Sequence, residues 1–93
     1  MNMMHTLQPV LDINAALALK ASALEWLDSK ALTIDASPVE RITTPCIQIL
    51  LALMHARDAA KRPTEFQAPS QSFMSAFQCL GLAQYLQGRV VNG

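Results

Sequence analysis

Glycine is scarce in this sequence. The three that occur, Gly81, Gly88 and Gly93, all lie late in the chain, so no glycine-rich loop exists to cradle a phosphate. Charge of one sign is missing as well: seven basic and seven acidic side chains cancel, and no Lys/Arg cluster forms along the chain. That excludes the electrostatic footprint of a nucleic-acid or anionic-membrane binder, and a partner must be met by shape. Long apolar runs are absent too. Gln48 and His55 interrupt one stretch and Lys20 and Glu25 the other, so nothing spans a bilayer and direct membrane insertion is not expected. The opening MNMMHTLQ has neither the basic start nor the apolar centre of a signal peptide, which places the chain in the cytoplasm. Cysteine is limited to Cys46 and Cys79, a pair that suits that compartment better as buried thiols than as a disulfide framework, with pairing left open.

What remains is a chain of 93 residues, 52% of them hydrophobic, enough for one core and one domain over residues 1–93. TLQPVLDI, residues 6 to 13, is apolar and partly alternating, and Pro9 makes it an edge strand. Asn14 suits the N-cap of a first helix, with Leu17, Ala21, Leu24 and Leu27 on its inner stripe and Lys20 and Asp28 towards the outside. ALTID, residues 31 to 35, reads as a short buried strand closed by the turn-prone ASPVER segment. From Pro45 to Lys61 the composition is helical and apolar on nearly every face apart from Gln48, Ala52 and His55. Pro63 stops that helix and TEFQA forms another strand. Ser70 caps a third helix with Phe73, Ala76, Phe77 and Leu80 on one face, Gly81 ends it, and LAQYL adds a final turn. Strand, buried helix, strand implies a right-handed crossover between parallel neighbours. The fold class is therefore α/β: a small sheet of about four strands, mostly parallel or mixed, with helices packed against it. Ile47, Leu50, Leu51 and Met54 should share a core with Leu24, Ile34 and Phe66.

In their order and spacing, the pieces IDAS, VERI, CIQILLAL, TEFQAPS and AFQCLGLAQYL resemble the STAS domain family, the anti-sigma-factor antagonists and their bacterial relatives. The resemblance implies a phosphoacceptor hydroxyl in the loop before the long helix. That loop commonly reads acid, Ser or Thr, small residue, Gly. Aligned on IQILLAL, Thr43 stands for the acid, Thr44 for the phosphoacceptor, Pro45 for the small residue and Cys46 for the glycine, so the acid and the glycine are both replaced.

Chemistry beyond that loop is thin. Thr44-Pro45 has a purely structural role available to it, threonine as N-cap and proline pre-organised at the first helical position. A phosphate at the same place is compatible with it, because helix amides and the macrodipole favour added negative charge there. Cys46 and Cys79 read as core residues. His55 has no metal-site partner and reads as a surface residue, His5 belongs to a loose N-terminus, and Met1, Met3 and Met4 to a mobile end or a strand edge. Asp35, Glu40 and Arg41 lie close in a loop with no second carboxylate or base, so no catalytic residue, metal site or cofactor is expected.

The expectation is a non-catalytic protein-interaction module of bacterial signalling. Its docking surface would comprise Ser37, Val39, Glu40, Arg41, Thr43, Thr44 and Gln48, switched by phosphorylation of Thr44 or Thr43. The resemblance implies a kinase-type anti-sigma factor or a chemotaxis component as partner. The alternative it implies is a cytosolic accessory subunit that binds the ATPase of an ABC-type lipid transporter.

Overall fold

The computed structural model describes residues 3–91. Strands form where apolar side chains alternate. In β3 (Leu32–Asp35) Leu32 and Ile34 are buried, and in β5 (Thr64–Gln67) Thr64 and Phe66 are buried while Glu65 faces outward. These strands are parallel neighbours, with Leu32 opposite Thr64 and Ile34 opposite Phe66. Met3–Thr6 (β1) adds in parallel outside β3, and Val90–Val91, the last strand of the sheet, adds in parallel outside β5. His5, Ile34, Phe66 and Val90 thus stand in one row across the sheet. Between β1 and β3 come a two-residue strand, Val10–Leu11 (β2), and the helix α1 (Ile13–Trp26). After β3, Arg41–Ile42 (β4) pairs in parallel with β2 beside the main sheet, and the chain enters α2 (Thr44–Ala59). α3 (Gln71–Cys79) and a short 3-10 helix (Ala83–Leu86) follow β5.

The parallel pairing of β3 and β5, the α/β class and the four-stranded sheet agree with the sequence expectation. So does the burial of Ile47, Leu50, Met54, Ile34 and Phe66 in one core. α2 packs beside α1 and keeps Gln48, Ala52 and His55 at the surface. Ser70 caps α3 through its Oγ, which accepts from the Phe73 amide at 3.1 Å. Among the described residues, no helix is long and apolar enough to cross a membrane.

Several expectations need correction. The 6–13 segment is not one strand: the first strand lies earlier, and Pro9 separates it from β2 because proline cannot donate to a ladder. His5 accordingly sits in β1, its ring stacked on Trp26 at 4.8 Å between centroids, rather than in a loose end. Met4 is exposed on that edge strand, and Met1 lies outside the described residues. The N-cap of α1 is Asp12, not Asn14; the Asp12 carboxylate accepts from the amides of Asn14 and Ala15. The helix is also rotated. Leu19, Ala23 and Trp26 face the core while Leu17, Ala21 and Leu24 are exposed, so Leu24 is absent from the core; on α2, Leu51 is only half-buried. Apolar residues fall on both stripes at helical spacing, and the larger surface of Trp26 decides between them. Cys79, at the end of α3, is exposed rather than buried, since it lies off the Phe73–Phe77 face.

Candidate functional site

The N-termini of α1, α2 and α3 are gathered at the end of the sheet where the parallel strands finish, the edge at which open α/β sheets present their sites. The loop from Ala36 to Arg41 ties them together. The Ala36 carbonyl accepts from the amides of Val39 (3.3 Å) and Ser70 (3.2 Å), and the Ser70 hydroxyl donates to the Val39 carbonyl at 2.6 Å. On the other side, the Glu40 and Arg41 amides both donate to the Pro9 carbonyl, at 2.7 and 3.1 Å. Asp35 opens the loop with a turn in which its carboxylate accepts from the Ser37 amide at 3.0 Å. Hydrogen bonds from the Ser37 side chain and backbone hold the Asp35 carboxyl below its ordinary value.

The start of α2 differs by one residue from the sequence expectation. Thr43, not Thr44, is the N-cap, Thr44 takes the first helical position and Pro45 the second. Thr43 does not cap with its side chain. Its amide and its Oγ1 both donate to the Leu11 carbonyl, at 2.9 and 3.0 Å, fastening α2 to the strand that leads into α1. Among the described residues, no side chain caps the amides of α2. Thr44 is exposed, and its hydroxyl makes no hydrogen bond among the described residues. Cys46 is fully buried one turn on, its thiol donating to the Asp12 carbonyl at 3.4 Å. Burial pushes the Cys46 thiol up, against a smaller opposing effect of a hydrogen bond with Thr43, so the group is a packed neutral thiol at neutral pH.

The expected docking residues divide by exposure. Ser37, Glu40, Arg41, Thr44 and Gln48 present their side chains to solvent, and Thr43 is half-buried. Val39, at 2% exposure, points into the core, because its neighbours on either side are tied down by the Ala36, Ser70 and Pro9 hydrogen bonds. It shapes the loop from beneath. A buried charge also escaped the sequence reading. Arg57, near the end of α2, is wholly enclosed: its Nε donates to Thr64 Oγ1 (2.7 Å), Nη1 to the carbonyls of Trp26 (2.6 Å) and Ser29 (2.8 Å), and Nη2 to that of Pro63 (2.8 Å). Its position was legible, since Ile47, Leu50, Met54 and Arg57 follow one helical stripe.

A family model described as "Mlab, STAS domain" matches residues 4–91. The chain belongs to the STAS domain family. Two solved structures share its fold. One is the anti-sigma factor antagonist SpoIIAA in its unphosphorylated form, with a TM-score of 0.77 and 16% identity over 99% of this chain and 79% of that one. The other is the Bacillus cell fate determinant SpoIIAA in its phosphorylated form, with a TM-score of 0.75 and 16% identity over 99% of this chain and 82% of that one. No curated protein matches the sequence. In this STAS domain Thr43, Thr44 and Cys46 stand at the start of α2, the helix start that the family resemblance singles out.

Proposed function

We propose that this STAS domain is a protein-interaction module without catalysis of its own, acting in the cytoplasm. It docks on a partner through the start of α2 and the loop before it, with Thr44 as the residue at which phosphorylation breaks the contact. The observation that carries the reading is the exposed Thr44 hydroxyl, without a hydrogen bond among the described residues, in the first turn of a helix whose amides no described side chain caps. A phosphate there adds between one and two negative charges, which the helix N-terminus tolerates and an apolar or neutral partner surface does not. A partner that buries Thr44 would then enclose an unpaired charge, at a cost of several kcal/mol. Thr43 is the weaker acceptor, since its hydroxyl is half-buried and already donates to the Leu11 carbonyl. SpoIIAA, similar in fold, has structures in phosphorylated and unphosphorylated forms, which motivates the switch and points to a kinase-type anti-sigma factor as partner; a chemotaxis component fits the same chemistry.

A second reading has its own support. The matching family model is the MlaB type, and the acid and glycine of the phosphorylated loop are replaced here by Thr43 and Cys46. Both favour an accessory subunit that binds the ATPase of an ABC-type lipid transporter through the same surface with no phosphorylation. Affinity purification of the chain from its source cell, with mass spectrometry of the partners and of Thr43 and Thr44, separates the two. A histidine-kinase-like or chemotaxis protein together with phosphorylated Thr44 is the first reading's outcome. An ATPase and permease with unmodified threonines is the second's, and recovery of neither class removes both.

A further inference from the structure

Three large apolar side chains stand out from one face of α1: Ile13 at 72% exposure, Leu17 at 81% and Leu24 at 61%. At the helical repeat they form a single stripe, about 130° around the helix from the buried Leu19, Ala23 and Trp26. Beside that stripe an apolar groove of about 370 Å³ runs between α1 and α2. Leu27, Ile49, Ala52 and Ala56 line it, and Lys20 is the one charged side chain in its lining among the described residues. The face therefore carries both a ridge of leucines and a hollow bordered by alanines small enough to admit another helix closely. A patch with ridge and hollow side by side is complementary to a copy of itself turned about a two-fold axis.

The charges select the same occupant and its direction. Lys20 lies four residues before Leu24, about 6 Å back along the axis, and Asp28 lies four residues after it, in the turn that closes the helix. If the last turns of a second α1 cross antiparallel, with Leu24 against Leu24, each Lys20 comes level with the Asp28 of the other copy and the contact is made twice, while Leu17 and Ile13 lie beyond the crossing of the two helices. A parallel crossing would set Lys20 against Lys20. The Asp28 side chain is 96% exposed even though one oxygen pairs with Arg62 at 3.2 Å, so its other oxygen is open to a second cation. We propose that this face of α1 and α2 joins two copies of the chain in an antiparallel, two-fold pair. It is independent of any switch at Thr44, and the substitutions that test it lie on or just beyond α1, away from the start of α2.

Sedimentation velocity over a concentration series from micromolar to millimolar tests the pairing, with far-UV circular dichroism to verify that each variant is folded. The wild-type chain should pass from monomer to dimer across the series, and Leu24→Glu should remain monomeric throughout. Lys20→Glu alone and Asp28→Lys alone should each raise the dimer dissociation constant by about tenfold. The double variant K20E/D28K, which restores opposite charges across the two-fold, should return to within about threefold of wild type. A wild-type chain that is monomeric at every concentration overturns the proposal and leaves the face to a different protein. A dimer equally insensitive to the single and double charge reversals overturns the antiparallel register.

Discussion

The two ends of α2 are held in opposite ways. At its C-terminal end Arg57 is enclosed and spends its donors on carbonyls of the α1 terminus and of the approach to β5, together with the Thr64 hydroxyl. No carboxylate faces it in those bonds. The charge is carried by oxygen dipoles, including carbonyls at a helix C-terminus, where the macrodipole favours a cation. Burial pulls the Arg57 pKa down, with the positive charge of Arg62 adding to the effect and Asp58 opposing it, and the guanidinium remains charged all the same. At its N-terminal end the same helix is anchored by Thr43 and Cys46 to the Leu11–Asp12 backbone, while the hydroxyl of Thr44, one residue away, is exposed and makes no hydrogen bond among the described residues. One helix is thus fixed at its far end, which locks α1 to the sheet, and open at its near end, where the proposed function puts recognition.

The contrast breaks most visibly at Arg57. Arg57→Ala should lose about 3 to 5 kcal/mol of unfolding free energy in a denaturant titration, because several buried carbonyls are left without donors. Arg57→Lys should recover little, since one ammonium cannot reach carbonyls on both sides of the guanidinium plane. Mid-helix, Leu50→Ala should cost about 2 to 5 kcal/mol through the cavity it opens, whereas Gln48→Ala on the opposite face should stay within about 0.5 kcal/mol. At the near end, Thr43→Ala should cost about 1 kcal/mol for the lost bond to Leu11. An equal loss from Thr44→Ala would place the fastening at the wrong threonine. The thiols test the packing beneath that near end without mutation: in the folded protein an alkylating reagent should modify exposed Cys79, on α3, promptly and buried Cys46 only as fast as the chain opens.

How much of this was legible in the sequence follows from where the deciding contacts lie. β3, α2, β5 and α3 announce themselves through local signals: alternation in LTID and TEFQ, the Pro45 and Pro63 boundaries, the Ser70 cap and Gly81. Parallel pairing then follows from the long helical connection. The rotation of α1 was not legible, because an alanine-rich helix with leucines on two stripes has a degenerate pattern, and the choice is made by packing against α2 and the sheet. β1 and the last strand are edge strands too short to carry a periodic signal, and their pairing depends on neighbours distant in sequence. At the site, the importance of the helix start could be read from the threonines and the proline. The division of labour between Thr43 and Thr44 could not, since it is set by the approach of Leu11 from 32 residues away. Val39 looked like a loop residue available to a partner, and tertiary hydrogen bonds on both sides of it turned it inward.

The smallest expected change in stability accompanies the most informative change in function. Thr44→Asp adds charge at a favourable helix end and removes no hydrogen bond, so its unfolding free energy should lie within about 0.5 kcal/mol of wild type. The decisive measurement is a calorimetric titration of wild-type, Thr44→Ala and Thr44→Asp chains, each verified as folded, against the partner recovered by affinity purification. A switch at an exposed docking surface predicts that Thr44→Ala binds within about threefold of wild type while Thr44→Asp loses at least about tenfold in affinity. Wild-type affinity in a fully folded Thr44→Asp chain would contradict it.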